Sequence, residues 1–211
     1  MRILGIMHPI KRQELWIAEL TLLLAAGLQF TISKRLIFGP KYLVASLLLI
    51  LTLAIAFTAP RRHIGKGGLH TPIATLLIAI VSIANAFELG LLTNALITNS
   101  GIPGRTLLSG ALAIFLTNII VFGLWYWELD SPGLSGKRRR SDDFQFPQSN
   151  DPNWQPLFFD YLYVSLTNST AFSPTDTMPL THIAKALMSA QAFISLLTVV
   201  LVTARAVNIL G

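Results

Sequence analysis

The sequence predicts an all-α, polytopic membrane protein, a single membrane domain over residues 1–211 with about five transmembrane helices and one re-entrant or interfacial segment. Three observations predict it. Apolar residues make up 53% of the 211 and charged residues only 12%, whereas soluble domains carry roughly a quarter charged residues. Five segments approach the roughly 20 apolar residues that a helix needs to cross a hydrocarbon core of about 30 Å. A sixth apolar stretch, from about residue 157, is too short to cross and ends in Thr167, Asn168, Ser169 and Thr170.

The five spans are expected at about 15–32, 43–59, 72–97, 107–127 and 184–204. Turn chemistry separates them: Phe38-Gly39-Pro40, then Ala59-Pro60-Arg61-Arg62 followed by Gly65, Gly67 and Gly68, then Gly101-Ile102-Pro103-Gly104. Pro72 suits the first turn of the third helix, where no backbone donor is lost. The fourth closes on Trp125, Tyr126 and Trp127, read as an aromatic belt at the membrane interface. Glu128 and Asp130 follow at a helix C-terminus, where the dipole disfavours anions, so they call for basic partners; Lys137, Arg138, Arg139 and Arg140 are the nearest supply. No internal repeat is evident, which gives no support to an inverted-repeat transporter.

The formal net charge of +6 does not point to nucleic acid, because basic residues of a membrane chain gather in loops that face the cytoplasm and anionic lipid. Arg2, Lys11, Arg12, Arg61, Arg62, Lys66, Lys137, Arg138, Arg139 and Arg140 fall on one face; Lys34, Arg35, Lys41 and Arg105 fall on the other, with Arg205 near the C-terminus. The richer face predicts a cytoplasmic N-terminus and an external C-terminus. No removable signal peptide is expected, and a bacterial inner membrane is the expected location.

Enzyme chemistry finds no support. His8, His63, His70 and His182 show no metal-ligand spacing, HExxH and GxSxG are absent, and cysteine is absent. No catalytic residue, metal or cofactor is expected.

Polar residues within the spans are expensive and therefore candidates for function. Glu88 is the deepest acid, and Asn85 shares its helix face three residues earlier. On the last helix Gln191, Ser195, Thr198, Val202 and Arg205 recur at spacings of four and three and form one stripe, suited to lining a pore or facing a bundle.

The tract Trp154 to Leu210 resembles a pore-loop module of the potassium-channel type, and the chain resembles a family of small bacterial membrane proteins of unassigned function. In the pore-loop family a short helix ends in threonines, a selectivity turn and an acid follow, and a proline precedes the inner helix. Here Asp160 opens the pore-helix-like part of segment 157–181, Thr167 and Thr170 end it, and Asp176, Pro179 and Thr181 follow. Where the family has a glycine–aromatic–glycine turn, this chain has Ala171, Phe172, Ser173, Pro174 and Thr175. The resemblance implies a monovalent-cation path in a homo-oligomer among membrane lipids, lined by Thr167, Asn168, Thr170, Ser173, Thr175 and Asp176; Gln191, Ser195 and Thr198, read from their stripe, and Glu88, read from its depth, are expected along it too, with hydrogen-bonded helix packing as the alternative for Glu88. Hydroxyls would then replace part of the carbonyl coordination that glycine turns provide. The alternative is a non-conducting membrane protein that binds lipid or a partner subunit. In that reading Ser173-Pro174-Thr175-Asp176 is a capping turn and Pro179 lies in the first turn of the last helix.

Overall fold

Helix α4, Gly104–Asp130, is the axis around which the other helices gather, packing against α1 (Arg12–Gln29), α3 (His70–Ile97), α5 (Phe158–Thr170) and α6 (His182–Leu210). Helix α2 (Leu43–Thr58) lies outside this contact set, against α1 and α3. The structure is a computed structural model, and it describes residues 12–37, 39–58, 70–98, 101–130, 143–151, 154–170 and 176–210. Two-residue strands β1 (Phe144–Gln145) and β2 (Met178–Pro179) pair antiparallel, Phe144 opposite Pro179.

Three of the six described helices are long and apolar enough to cross a membrane: α3 over Thr75–Ile97, α4 over Gly104–Asp130 and α6 over His182–Arg205. Helix α2 has 16 residues, roughly 24 Å at 1.5 Å per residue. The described apolar parts of α1 and α2, Trp16–Gln29 and Leu43–Leu53, are shorter than those of the other three. Within its apolar window α4 is 72% buried, against 17% for α6, which makes α4 central and α6 peripheral.

Several hydroxyls within the helices are satisfied by their own backbone. Thr21, Thr52, Ser82, Thr93 and Thr198 each donate a hydroxyl to the carbonyl four residues back, a bond that removes a polar group from apolar surroundings. Pro72 falls in the first turn of α3. Gly101, between α3 and α4, has φ +68°, a conformation that side chains disfavour.

Gly123 sets the distance between α4 and α5. A Cβ placed there would lie 3.2 Å from the Leu162 Cα, so the two backbones meet with no side chain between them. Gly123→Val is expected to lower stability by about 1–3 kcal/mol through overpacking. Gly90 on α3, where a Cβ would meet nothing within 4 Å, is the control: Gly90→Ala should be neutral or stabilise by about 0.5–1 kcal/mol. Thermal unfolding in detergent separates the two, and equal melting temperatures would contradict the close approach of α5.

The end of α4 differs from the sequence expectation. Tyr126 and Trp127 are fully buried, because the chain after residue 142 folds back over them. Trp127 meets Phe158 edge-on at 5.1 Å, and Phe144 lies between Tyr126 and Tyr161 at 5.2 and 6.2 Å. Only Trp125 is half-buried, and its indole N–H donates to Ser82 Oγ at 2.9 Å. Belt statistics hold for helix ends that face lipid; this end faces its own chain.

Candidate functional site

Helix α5 is the element on which the site is built. Phe158, Tyr161, Val164, Ser165 and Ser169 are buried along one side, while Phe159, Tyr163 and Leu166 are exposed on the other. Spacings of three and four place the buried set on one helical face. The Asp160 carboxylate accepts the Leu157 N–H at 2.7 Å and closes the first turn. A carboxylate there also complements the positive end of the helix dipole.

The segment begins and returns at one end of the bundle. It begins where Phe158 meets Trp127, near the C-terminus of α4. It returns where the Leu180 N–H bonds the Asp143 carbonyl at 2.8 Å and the Thr181 hydroxyl donates to the Asp143 carboxylate. Asp143 is itself tied to α4: Asp130 Oδ1 accepts the N–H groups of Asp143 and Phe144, the latter at 3.0 Å, and Oδ2 accepts the Tyr161 hydroxyl at 2.7 Å. These donors to Asp130 are neutral; Lys137, Arg138, Arg139 and Arg140, the expected partners, lie outside the described residues. Thr181, whose Oγ1 accepts the Ala184 N–H at 3.2 Å, caps α6. The capping turn expected at residues 173–176 is therefore not what starts this helix, and Pro179 sits in β2 instead of a first turn. A strand position at the edge of a two-stranded pair accommodates proline's missing N–H.

Between these fixed ends α5 reaches the middle of the bundle. The Ser165 hydroxyl donates to the Ile119 carbonyl at 2.6 Å, and Ile119 precedes Asp130 by roughly 16 Å of helix. Ser165, Asn168 and Ser169 converge on Gln191 of α6, nine residues into that helix, roughly 13 Å. Gln191 Nε2 donates to the Ser165 hydroxyl at 2.6 Å, to the Ser165 carbonyl at 3.0 Å and to the Ser169 hydroxyl at 2.7 Å. Its Oε1 accepts Asn168 Nδ2 at 2.9 Å and the Tyr126 hydroxyl. Asn168 also donates to the Met188 carbonyl at 2.9 Å. Nearer the middle of α4, Asn118 donates to Ser195 at 3.0 Å. Every hydrogen-bonding atom of the Gln191 side chain is used, which is what burial of an amide requires.

The ten residues expected along an ion path thus separate into groups. Asn168 and Gln191 share one network, with Ser195 and Thr198 further along the same buried stripe of α6. Thr167 and Thr170 end α5, donating to carbonyls of their own helix at 2.9–3.3 Å. A hydroxyl whose proton is held this way keeps its oxygen lone pairs for a cation. Asp176 is exposed. Ser173 and Thr175 lie outside the described residues. Glu88 is elsewhere, on the α1–α3 side, where Gln29 Nε2 donates to its Oε2 at 3.3 Å.

Tyr126, Ser165 and Ser169 belong to the network although none of them was among the residues expected along the path. The 165, 168, 169 spacing of polar residues on a short helix was the available signal for the two serines. Tyr126 carried none, since an aromatic triplet at a helix end has the same composition whether lipid or protein covers it.

Comparison with protein-family models, with curated proteins and with solved structures finds no match to this chain.

Proposed function

We propose that the chain is a five-crossing membrane protein of the bacterial inner membrane, one subunit of a homo-oligomer that passes monovalent cations along the end of α5. The observation that carries this reading is the half-length helix: α5 starts at the end of the bundle where Leu180 and Thr181 also lie, and stops in its middle with a threonine-rich C-terminus. Non-spanning backbone at membrane depth survives where protein or water covers it. The C-terminal end of a helix carries partial negative charge, and at mid-bundle this favours a cation. Thr167, Thr170, Ser173, Thr175 and Asp176 are the residues assigned to the path. The exposed apolar face of α5 and the exposed Phe193, Leu196 and Val200 of α6 are the surfaces left for lipid or neighbouring subunits. One such segment per chain makes a pore only if several chains assemble, so protein purified in mild detergent should be oligomeric; a stable monomer would count against the reading.

A second reading rests on the Gln191 network. Because Asn168, Ser165 and Ser169 all turn inward and are satisfied there, α5 could serve as a packed plug in a non-conducting protein that binds lipid or a partner subunit. Asp176→Asn is silent under that reading and alters cation flux under the first.

Sidedness follows from the basic loops. With a single cysteine placed in this cysteine-free chain, Gly211→Cys should react with a membrane-impermeant thiol reagent in intact cells and Ser135→Cys should not. The reverse pattern would turn α5 to face the outside.

A further inference from the structure

The core is interrupted by polar residues at one level on three helices. One hydrophobic cluster includes Ala26 of α1, Ala84 of α3 and Ile120 of α4, and a second resumes at Ile32, Leu89 and Ile114. Between them lie Gln29, Asn85, Glu88 and Thr117, none more than 3% exposed. Asn85 and Glu88 are one turn apart on the same face of α3. The bond from Trp125 to Ser82 sets α3 and α4 antiparallel in a register that brings Thr117 level with Glu88. Thr117 follows Gly110 by two turns, and a Cβ at Gly110 would meet Leu36, in the short 3-10 turn Lys34–Leu36 that packs against α3, at 3.1 Å; Thr117 therefore faces the side of α4 on which α3 and that turn lie, where Gln29 meets Glu88.

This group is not closed by its own bonds. Glu88 Oε1, Asn85 Oδ1 and Thr117 Oγ1 are buried with no hydrogen-bond partner. Thr117 also departs from Thr52, Thr93 and Thr198, which donate to carbonyls four residues back. All three unpartnered atoms are oxygens, and one belongs to a carboxyl group. We propose that Glu88, Asn85 and Thr117 form a monovalent-cation site within each chain, filled by a proton or a sodium ion, distinct from the α5 segment and independent of whether that segment conducts.

Charge is what favours a cation over a water molecule. A lone carboxylate in an apolar interior is costly unless it is paired or neutralised, and the one bond it receives is from the neutral Gln29 amide. Glu19 on α1 is ten residues from Gln29, and Lys34 and Arg35 beyond it are exposed. On α4, Arg105 is exposed twelve residues before Thr117, and Glu128 lies eleven residues after it. On α6, Lys185 and Arg205 are each ten residues from Ser195, and the described side chains of α2 include no ionisable group. Glu88 is thus the only ionisable side chain at its level among those described. A proton on Oε1 would find an acceptor in Asn85 Oδ1; a sodium ion would find three oxygens of the kind hard cations prefer. One carboxylate matches a single positive charge.

The test is thermal unfolding of the purified full chain in detergent, first with sodium chloride replacing choline chloride at constant ionic strength and mildly alkaline pH, then with falling pH in choline chloride. The melting temperature of the wild type is expected to rise by several degrees in one series, since a ligand bound only by the folded state stabilises it. A rise with sodium assigns sodium, and a rise with acid alone assigns the proton. Glu88→Gln should lose the response and, without sodium at alkaline pH, melt no lower than wild type. Should that variant fail to fold, Thr117→Val, which removes one oxygen with little change of shape, should shift the response to higher cation concentration. A wild type indifferent to both series, or a variant whose response is unchanged, overturns the site.

Discussion

Gln191→Leu is expected to loosen α5 from both of its neighbours and to lower stability by about 2–3 kcal/mol. The magnitude comes from asking which groups can find new partners. Ser165 keeps its bond to the Ile119 carbonyl, and Ser169 can turn its hydroxyl to its own helix. Asn168 keeps the Met188 carbonyl. The Tyr126 hydroxyl, fully buried, is left with only a 3.4 Å contact to Asn168. The loss is therefore larger than one membrane hydrogen bond, typically about 0.6 kcal/mol, but smaller than the sum of all five bonds. Ser165→Ala alone should cost no more than about 1 kcal/mol. Melting temperatures of the two variants in one detergent check the order, and a Gln191→Leu protein as stable as wild type would contradict the network.

Asp130→Ala should have an effect of about 3 kcal/mol, because one carboxylate holds two backbone N–H groups and a tyrosine hydroxyl, and bonds to a charged acceptor are roughly twice as strong as neutral ones. Asp143, Phe144 and Tyr161 lose a common acceptor. The pairing of β1 with β2 then loses its tether to α4, and with it the fixed return of the chain into α6. Asp130→Asn retains one oxygen acceptor and should cost less. Limited proteolysis gives a local readout: cleavage between residues 131 and 157 should accelerate in Asp130→Ala and only slightly in Asp130→Asn. Equal cleavage in wild type and Asp130→Ala would remove the tether from the account.

The helices were legible in the sequence because long apolar runs bounded by Gly and Pro leave few alternatives, and α2, α3 and α4 begin and end within a few residues of such boundaries. A short apolar segment ending at Thr170 was legible for the same reason, and α5 stops there. Periodicity identifies a helix face but does not say what covers it. The stripe of Gln191, Ser195 and Thr198 was visible, yet the partners of Gln191 and Ser195 on α4 and α5 are 22 to 77 residues away and leave no local trace. The burial of Tyr126 and Trp127 was missed for a related reason: their environment is set by Phe144 and Phe158, beyond a polar stretch whose path composition does not encode. The same holds at α6, where Asp176 and Thr181 are both chemically suited to cap a helix and only Thr181 stands at its first turn.

Cation flux through liposomes holding the purified protein separates a conducting chain from a packed plug. Monovalent cations are expected to cross such membranes faster than protein-free controls, and Asp176→Asn to change the rate or its dependence on cation concentration while leaving the melting temperature unchanged. Folded, oligomeric protein that passes no monovalent cation, with Asp176→Asn indistinguishable from wild type, would contradict the conducting chain.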